Sequence, residues 1–493
     1  MQSRFISTLT STVMRPIWVA ALALSMIWVL TPARAAPAEL LSVNGTTGTV
    51  NQADPCPDPR NSAVYKTIAK AIACALAGDT ITVAAGTYNE NVMVNKAVTL
   101  LGANAGVDAR NLRGVESIIN GGGVSAPIGM SASGAIVDGF RLQAGQNSLG
   151  AGVWMGGSVT GVQLLNNVIT DNTIGLAIIG GCPCLVRHNW FNANNRSGPA
   201  GYKALYAENT NGLIFEENNV TGHTVDVPIV FANTNPPNPT HFNVTFTGNA
   251  IFNNTINGAY LLGVSASTFR ANNFVGRGLW FAGGNSNITV TTNNFTNGAP
   301  AIQIFLRTDG TGNNYGPNSN IKINFNRFIA NSPYAIVLTS NYVGTLNAED
   351  NWWGCNYGPG ATGSGCTAAT NSNNGAAIDA VPWIILKLAS AQPTVGQNGG
   401  TVSVTAYLTG TSAGTDVSSL GYVPDAIPVN LSSTGGTLTP TIARTIGGKA
   451  SSTFMAGPAL GTALITATVD SQTVNRSLLI VPNIRYLPAI LRP

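Results

Sequence analysis

Between about residue 150 and residue 340 one short pattern keeps returning: a small residue, an apolar residue, any residue, an apolar residue. It reads Gly152-Val153-Trp154-Met155, Gly175-Leu176-Ala177-Ile178, Ala204-Leu205-Tyr206-Ala207 and Pro228-Ile229-Val230-Phe231. It goes on as Gly258-Ala259-Tyr260-Leu261, Gly278-Leu279-Trp280-Phe281, Ala301-Ile302-Gln303-Ile304 and Ala335-Ile336-Val337-Leu338. Apolar residues two apart point to one face of a strand, so Val153, Met155 and their equivalents are expected to fill an interior. A second marker is an asparagine before an apolar pair, at Asn167, Asn189, Asn219, Asn249, Asn273, Asn294, Asn326 and Asn351. The gaps are 22, 30, 30, 24, 21, 32 and 25 residues. A period in the twenties with insertions of variable length marks a solenoid. One coil cannot bury its apolar face alone, and its neighbours complete the core.

The start of the array fits this reading. Residues 64–77 carry Ile68, Ile72 and Leu76 at helical spacing, and Gly78 is expected to stop the helix. Three short strand-like runs follow within residues 78–103. A helix plugging the first coil protects core residues and open strand edges. The fold predicted is all-β: a right-handed parallel β-helix over residues 36–388, capped by this helix and, at the far end, by residues 351–383. The asparagines, which tolerate left-handed backbone, are expected to line a sharp bend and to bond up and down the stack. That role is architectural. Residues 392–482 change to longer alternating runs with a turn about every ten residues, which predicts a small β-sandwich. Residues 483–493 form a tail without a Leu-Pro-x-Thr-Gly sorting signal.

Composition adds the compartment. Only 9% of the 493 residues are charged. Arg4 and Arg15 precede the apolar run 17–30, and Ala33-Arg34-Ala35 follows it. This reads as a signal peptide, residues 1–35, too short in its apolar run for a membrane span. A secreted or cell-surface protein with no span after cleavage is expected. Without Arg4, Arg15 and Arg34 the chain has 21 basic and 20 acidic residues and no basic block, which argues against nucleic acid. Six cysteines in an exported chain suggest disulfides, with Cys56 and Cys74 flanking the helix and Cys355 and Cys366 bracketing a glycine-rich loop. Cys182 and Cys184 form either a strained disulfide or two free thiols.

Three resemblances follow from particular residues. The run 78–92, with Gly78, Asp79, Ile81, Gly86, Tyr88 and Glu90, resembles the opening of pectin methylesterases and other pectin-lyase-like proteins. In that superfamily these residues serve the fold's entry, so the resemblance implies fold and not activity. The closing segment Asn351-Trp352-Trp353-Gly354-Cys355 resembles that of secreted bacterial β-helix repeat proteins, which implies that the two tryptophans cover the last coil. The run 423–474 resembles bacterial Ig-like domains of the invasin and intimin type, which implies a spacer or stalk.

The catalytic sets of the resembled enzymes are missing. The strings Gln-Asp-Thr-Leu, Asp-Phe-Ile-Phe-Gly, Asp-Asp and Gly-His-Gly do not occur. If Val153 and Met155 point inward, one outward slot holds Trp154, Ala177, Tyr206, Val230, Tyr260, Trp280, Gln303 and Val337. The next holds Gly156, Ile179, Glu208, Ala232, Leu262, Ala282, Phe305 and Thr339. Sixteen positions thus carry one carboxylate, Glu208. Trp154, Tyr206, Tyr260 and Trp280 are candidates for stacking on sugar rings, with Gln303 as a hydrogen-bonding partner. The candidate catalytic cluster is Lys203, Glu208, His223 and Asp226, from adjacent coils. Two functions remain: a non-catalytic surface or adhesion protein binding a polysaccharide, and a polysaccharide lyase or related carbohydrate-active enzyme. The missing motifs favour the first. No cofactor is expected, and calcium enters only with the second.

Overall fold

The computed structural model describes residues 37–483, apart from 147–149, 199–200, 257, 308–314, 361–364 and 373–374. The expected signal peptide, and the tail from residue 484 on, lie outside the described residues. Three parallel sheets of sixteen, ten and eleven strands wind as a right-handed parallel β-helix. One coil runs from Ala151–Gly156 in the third sheet to Gln163–Leu165 in the first. It then passes through Val168–Thr170 in the second and returns to the third at Ile174–Ile179. Leu164, Ile169, Val153 and Met155 point inward from the three walls and are fully buried. Rings stack inside: Phe191, Phe215, Phe246 and Phe269 follow one another at 5.5, 5.0 and 5.6 Å. Phe274, Phe295, Phe328 and Trp353 do so at 5.1, 5.2 and 5.0 Å.

The asparagine array is a ladder, with two corrections. Its members are Asn167, Asn189, Asn218, Asn249, Asn272, Asn293, Asn326 and Asn351, all at the core. At Asn218-Asn219, Asn272-Asn273 and Asn293-Asn294 the first residue enters the ladder, and Asn219, Asn273 and Asn294 point outward. The ladder member lies two residues before an inward residue such as Ile169 or Phe274, so both occupy one face. Secondly, the left-handed residue at each bend is the one before: Asn166, His188, Glu217, Gly248, Ala271, Thr292, Phe325 and Asp350. The ladder asparagine is selected by its amide. In Asn218, Nδ2 donates to Val186 O at 2.9 Å and Asn249 Oδ1 at 3.1 Å, while its Oδ1 accepts from Asn189 N and Nδ2.

The entry helix is shorter than expected, Ile68–Cys74. Val64–Tyr65 is instead drawn into the first sheet beside Ser42 and Val43. Glu90 accepts from the first helical amides, Ile68 N and Ala69 N, both at 3.0 Å. Leu76, expected on the helix's apolar face, is exposed, because its N–H bonds Asp79 beyond the helix end. Buried Asp79 pairs with Arg60. At the other end stacking runs further than residue 350: Ala369–Asn371 and Ala377–Asp379 add parallel strands.

From Ile384 the chain builds two mainly antiparallel sheets of four and five strands around a shared core that includes Val404, Leu431, Phe454, Ile465 and Leu478. Both tryptophans of the closing segment are fully buried, but on opposite faces. Trp353 ends the internal ring stack, and Trp352 enters the C-terminal core. Asp470, at a hairpin tip of this second body, accepts from Trp352 Nε1 at 2.7 Å and pairs with Arg327.

The ladder register is checked by a pair of neighbouring substitutions. Asn218→Ala strands several buried backbone and amide groups, and about 3 kcal/mol or more of stability should be lost. Asn219→Ala, on the outward face, should stay within about 0.5 kcal/mol of the parent. Unfolding midpoints in urea measure both, and equal effects would refute this register.

Candidate functional site

The outward column of the third sheet forms in register. Hydrogen-bonded neighbours run Met93, Gly129, Trp154, Ala177, Tyr206, Val230, Tyr260, Trp280, Gln303, Val337 and Thr370. From Trp154 to Trp280 is five rungs, about 24 Å at the usual strand spacing. The column is part-buried, because segments between coils lean over it. Ala177 is fully buried between Trp154 and Tyr206 and divides the column into two stretches. Trp154 lines a small depression with Asn91, Met93, Ser125 and Gly129. Tyr206, Tyr260 and Trp280 line a groove of about 590 Å³ with Lys203, Asp226, Arg307 and Tyr315.

The groove's far end is an aromatic cluster. Tyr260, Trp280 and Phe305 meet edge-on at 6.0–6.1 Å, the geometry that ring quadrupoles favour. Arg277 lies 5.0 Å from the Trp280 ring, and Arg307 lies 5.5 Å from Tyr260 and 6.0 Å from Tyr315. Arg307 and Tyr315 belong to the insertion that makes the repeat between Asn294 and Asn326 long. Its length was visible in the sequence, but not the face it would cover. Gln303 continues the column one rung beyond Trp280.

The groove's polar groups are largely engaged with one another. Lys203 Nζ donates to Asp226 Oδ2 and to Gly201 O, at 2.8 and 2.9 Å. Burial works to raise the Asp226 carboxyl, but the Lys203 ammonium and the Val227 N–H outweigh it and hold Asp226 below the usual range. Tyr206 donates to Glu208 Oε1 at 2.7 Å, and burial together with Glu208 pushes its phenol well up. A general acid needs a raised carboxyl pKa, and Asp226 has a lowered one. Among the described residues no three His, Cys, Asp or Glu side chains converge as a metal site requires.

The expected cluster does not assemble: Lys203 pairs with Asp226, Glu208 stands at the other end of the Lys203–Glu208 strand and bonds Tyr206, and His223 joins neither pair. It is fully buried in a second ladder, at the bend from the second sheet to the third, with Asn172, Asn194 and Asn254. The neutral ring substitutes for an asparagine amide. Its Nδ1–H takes the place of Nδ2 and donates to Asn254 Oδ1 at 3.1 Å. Its Nε2 lone pair takes the place of Oδ1, facing Asn194 Nδ2 at 3.4 Å. Nothing in the sequence near His223 marks this, since the ladder tolerates any side chain offering a donor and an acceptor in the right order.

The six cysteines stand pairwise at disulfide distance. Cα separations are 5.5 Å for Cys56 and Cys74, and 5.2 Å both for Cys182 and Cys184 and for Cys355 and Cys366. Cys182 and Cys184 are both buried in the coil interior.

Comparison with known proteins agrees with the fold. A family model described as right handed beta helix region matches residues 149–295. No curated protein matches the chain. The pectin methylesterase of Aspergillus niger is 13% identical, with 70% of this chain and 86% of that chain covered and a TM-score of 0.22. Tailspike protein gp49 of Pseudomonas phage LKA1 is 11% identical, covering 82% and 85%, with a TM-score of 0.24. The tailspike of E. coli bacteriophage HK620, solved with a pentasaccharide, is 12% identical, covering 82% and 87%, with a TM-score of 0.27. Likenesses this distant carry no functional argument. What stands is a right-handed parallel β-helix.

The His223 assignment predicts a pH dependence. Burial drops the ring's pKa to about 4, against about 6.5 in the unfolded chain. The unfolded state therefore binds the proton first as pH falls through this window, and stability falls with it, by about 3 kcal/mol once pH is below about 4. His241, buried with a pKa also near 4, adds its own loss. His223→Asn should lose less stability between pH 7 and pH 4 than the parent, read as urea midpoints at each pH. An equal loss in both proteins would contradict the assignment.

Proposed function

We propose that this is an exported, non-catalytic surface protein whose β-helix holds a polysaccharide along the outward column of the third sheet. The observation that carries the reading is the groove formed by Tyr206, Tyr260 and Trp280. Their rings stand two rungs and then one rung apart on a rigid sheet. Flat apolar faces spaced along a groove suit the CH faces of successive sugar rings, while Arg307 and Gln303 supply hydrogen bonds to hydroxyls. Trp154 would extend contact toward the first coils. In this reading the C-terminal two-sheet body is a bacterial Ig-type spacer that presents the β-helix away from the cell. The Lys203–Asp226 and Tyr206–Glu208 pairs shape the groove's polar wall and perform no proton transfer.

The test is binding of the mature chain to a panel of polysaccharides immobilised or in solution. Trp280→Ala should weaken binding of any captured polysaccharide about tenfold, the magnitude of a lost stacking contact with its buried area. Trp154→Ala should weaken only long chains. Absence of binding by the parent, or affinity unchanged in Trp280→Ala, would sink the proposal. A rise in ultraviolet absorbance from unsaturated uronate products would replace it with the lyase reading, in which Glu208→Gln should abolish the rise.

A further inference from the structure

A second cleft, of about 620 Å³, lies where the β-helix meets the C-terminal body. One wall is the outer face of the second and first sheets, with Arg270, Asn273, Asn294 and Arg327. The other is the segment around Tyr422 and Asp425. It is separate from the aromatic groove, because it opens on different walls of the coil. The column of outward residues beside the ladder ends here: Asn219, Ala250, Asn273, Asn294 and Arg327 are successive neighbours in it.

The cleft is held open by contacts that pin its two walls. Arg327 pairs with Asp470, which also takes the Trp352 indole N–H. Ser471 Oγ donates to Gly354 O at 2.8 Å, Asn356 N donates to Gln472 Oε1 at 2.8 Å, and Thr292 Oγ1 donates to Tyr422 O at 3.3 Å. Arg327 then orients the amides along the wall. Its Nη1 donates to Asn294 Oδ1 at 2.6 Å, and Asn294 Nδ2 donates to Asn273 Oδ1 at 2.8 Å. With its oxygen taken, exposed Asn273 presents Nδ2 as a donor.

The charges in the cleft are unequally used. Arg327 is neutralised by Asp470. Arg270 is exposed and, among the described residues, forms no ion pair. Across the cleft Asp425 is exposed and accepts from Gly447 N through Oδ1 only. Arg270 and Asp425 do not pair with each other, so an open cation and an open acceptor face the same space.

We infer that this cleft is a binding site for an acidic sugar unit. A sugar acid has a carboxylate for the Arg270 fork, hydroxyl oxygens for Asn273 Nδ2, and hydroxyl donors for Asp425. The Tyr422 ring offers a face for its CH groups. Pockets at the junction of two bodies are where small ligands are most often held. The site does not depend on the aromatic groove.

The probes are glucuronate and, as the uncharged control, glucose, titrated into the mature full chain and followed by saturation-transfer NMR and calorimetry. Glucuronate should bind with glucose at least about tenfold weaker, the discrimination of one charge-assisted pair. Arg270→Ala should lower glucuronate affinity about tenfold and leave the unfolding midpoint unchanged, since the side chain is exposed. Arg270→Lys, which keeps the charge and loses the fork, should fall between. Trp280→Ala should bind glucuronate as the parent does, which separates this site from the groove. No glucuronate binding by the parent, equal binding of glucose, or equal affinity in Arg270→Ala would overturn the inference.

Discussion

A parallel coil must leave its sheets at each bend, and the peptide groups there have no strand to pair with. In the interior no water satisfies them, and each orphan would cost about 1–3 kcal/mol. The ladder asparagines remove that cost by turning the amide side chain into a substitute strand. Asn249 donates to Phe215 O, from the coil before, and to Asn272 Oδ1, in the coil after, and it accepts two bonds from Asn218. Each coil from Asn167 to Asn326 is thus bonded to both neighbours at the bend. The ring stacks behind the ladder depend on it, because they need coils that repeat at a constant spacing. His223 shows what the slot requires: one donor toward the next coil, one acceptor toward the previous one, and no charge.

The same constraint governs the ends. A stack with no next coil exposes an apolar cross-section, and the two ends solve this with different means. At the start a short helix covers the first coil, and Glu90 from the neighbouring strand region satisfies its first amides. At the finish Asn351 ends the ladder, and the two residues after it divide the work. Trp353 completes the internal ring stack while Trp352 faces the C-terminal body. One dipeptide therefore closes one core and opens the next, and Asp470 binds the Trp352 indole and Arg327 together across the junction. The C-terminal body is fixed to the β-helix by this contact as well as by the chain.

Period and alternation made much of this legible. The small-apolar-x-apolar pattern put Trp154, Tyr206, Tyr260, Trp280 and Gln303 in one outward column, and strand pairing places them there in register. A period of two leaves no freedom once the inward pair is known. The asparagines were less legible where two are adjacent, because apolar neighbours do not say which of Asn218 and Asn219 turns inward. Counting back two from the inward Val220 would have decided it. Proximity between coils was least legible. Lys203 and Asp226 meet, but His223, three residues before Asp226, turns into the core, because a bend separates them. Arg307 and Tyr315 reach the groove from an insertion whose direction no local pattern encodes.

In this architecture the inside and the outside of a strand answer to separate demands. Inward positions are bound by packing with the coil above and below, so Phe, Ile, Leu and Val repeat there with little room for change. Outward positions carry no such burden, and each sheet can bear its own chemistry at the strand spacing. The third sheet has used that freedom for rings whose nearby charges are mostly paired: Lys203 with Asp226, Glu208 with Tyr206. The second sheet has used it for amides that end at a fixed arginine. A chain with so few charged residues places its open charges sparingly, and Arg270 and Asp425, which form no ion pair among the described residues, line facing walls of one cleft. Exposed charges without an ion partner cost little in water, whereas a ligand bearing both an acid and hydroxyls would satisfy both at once.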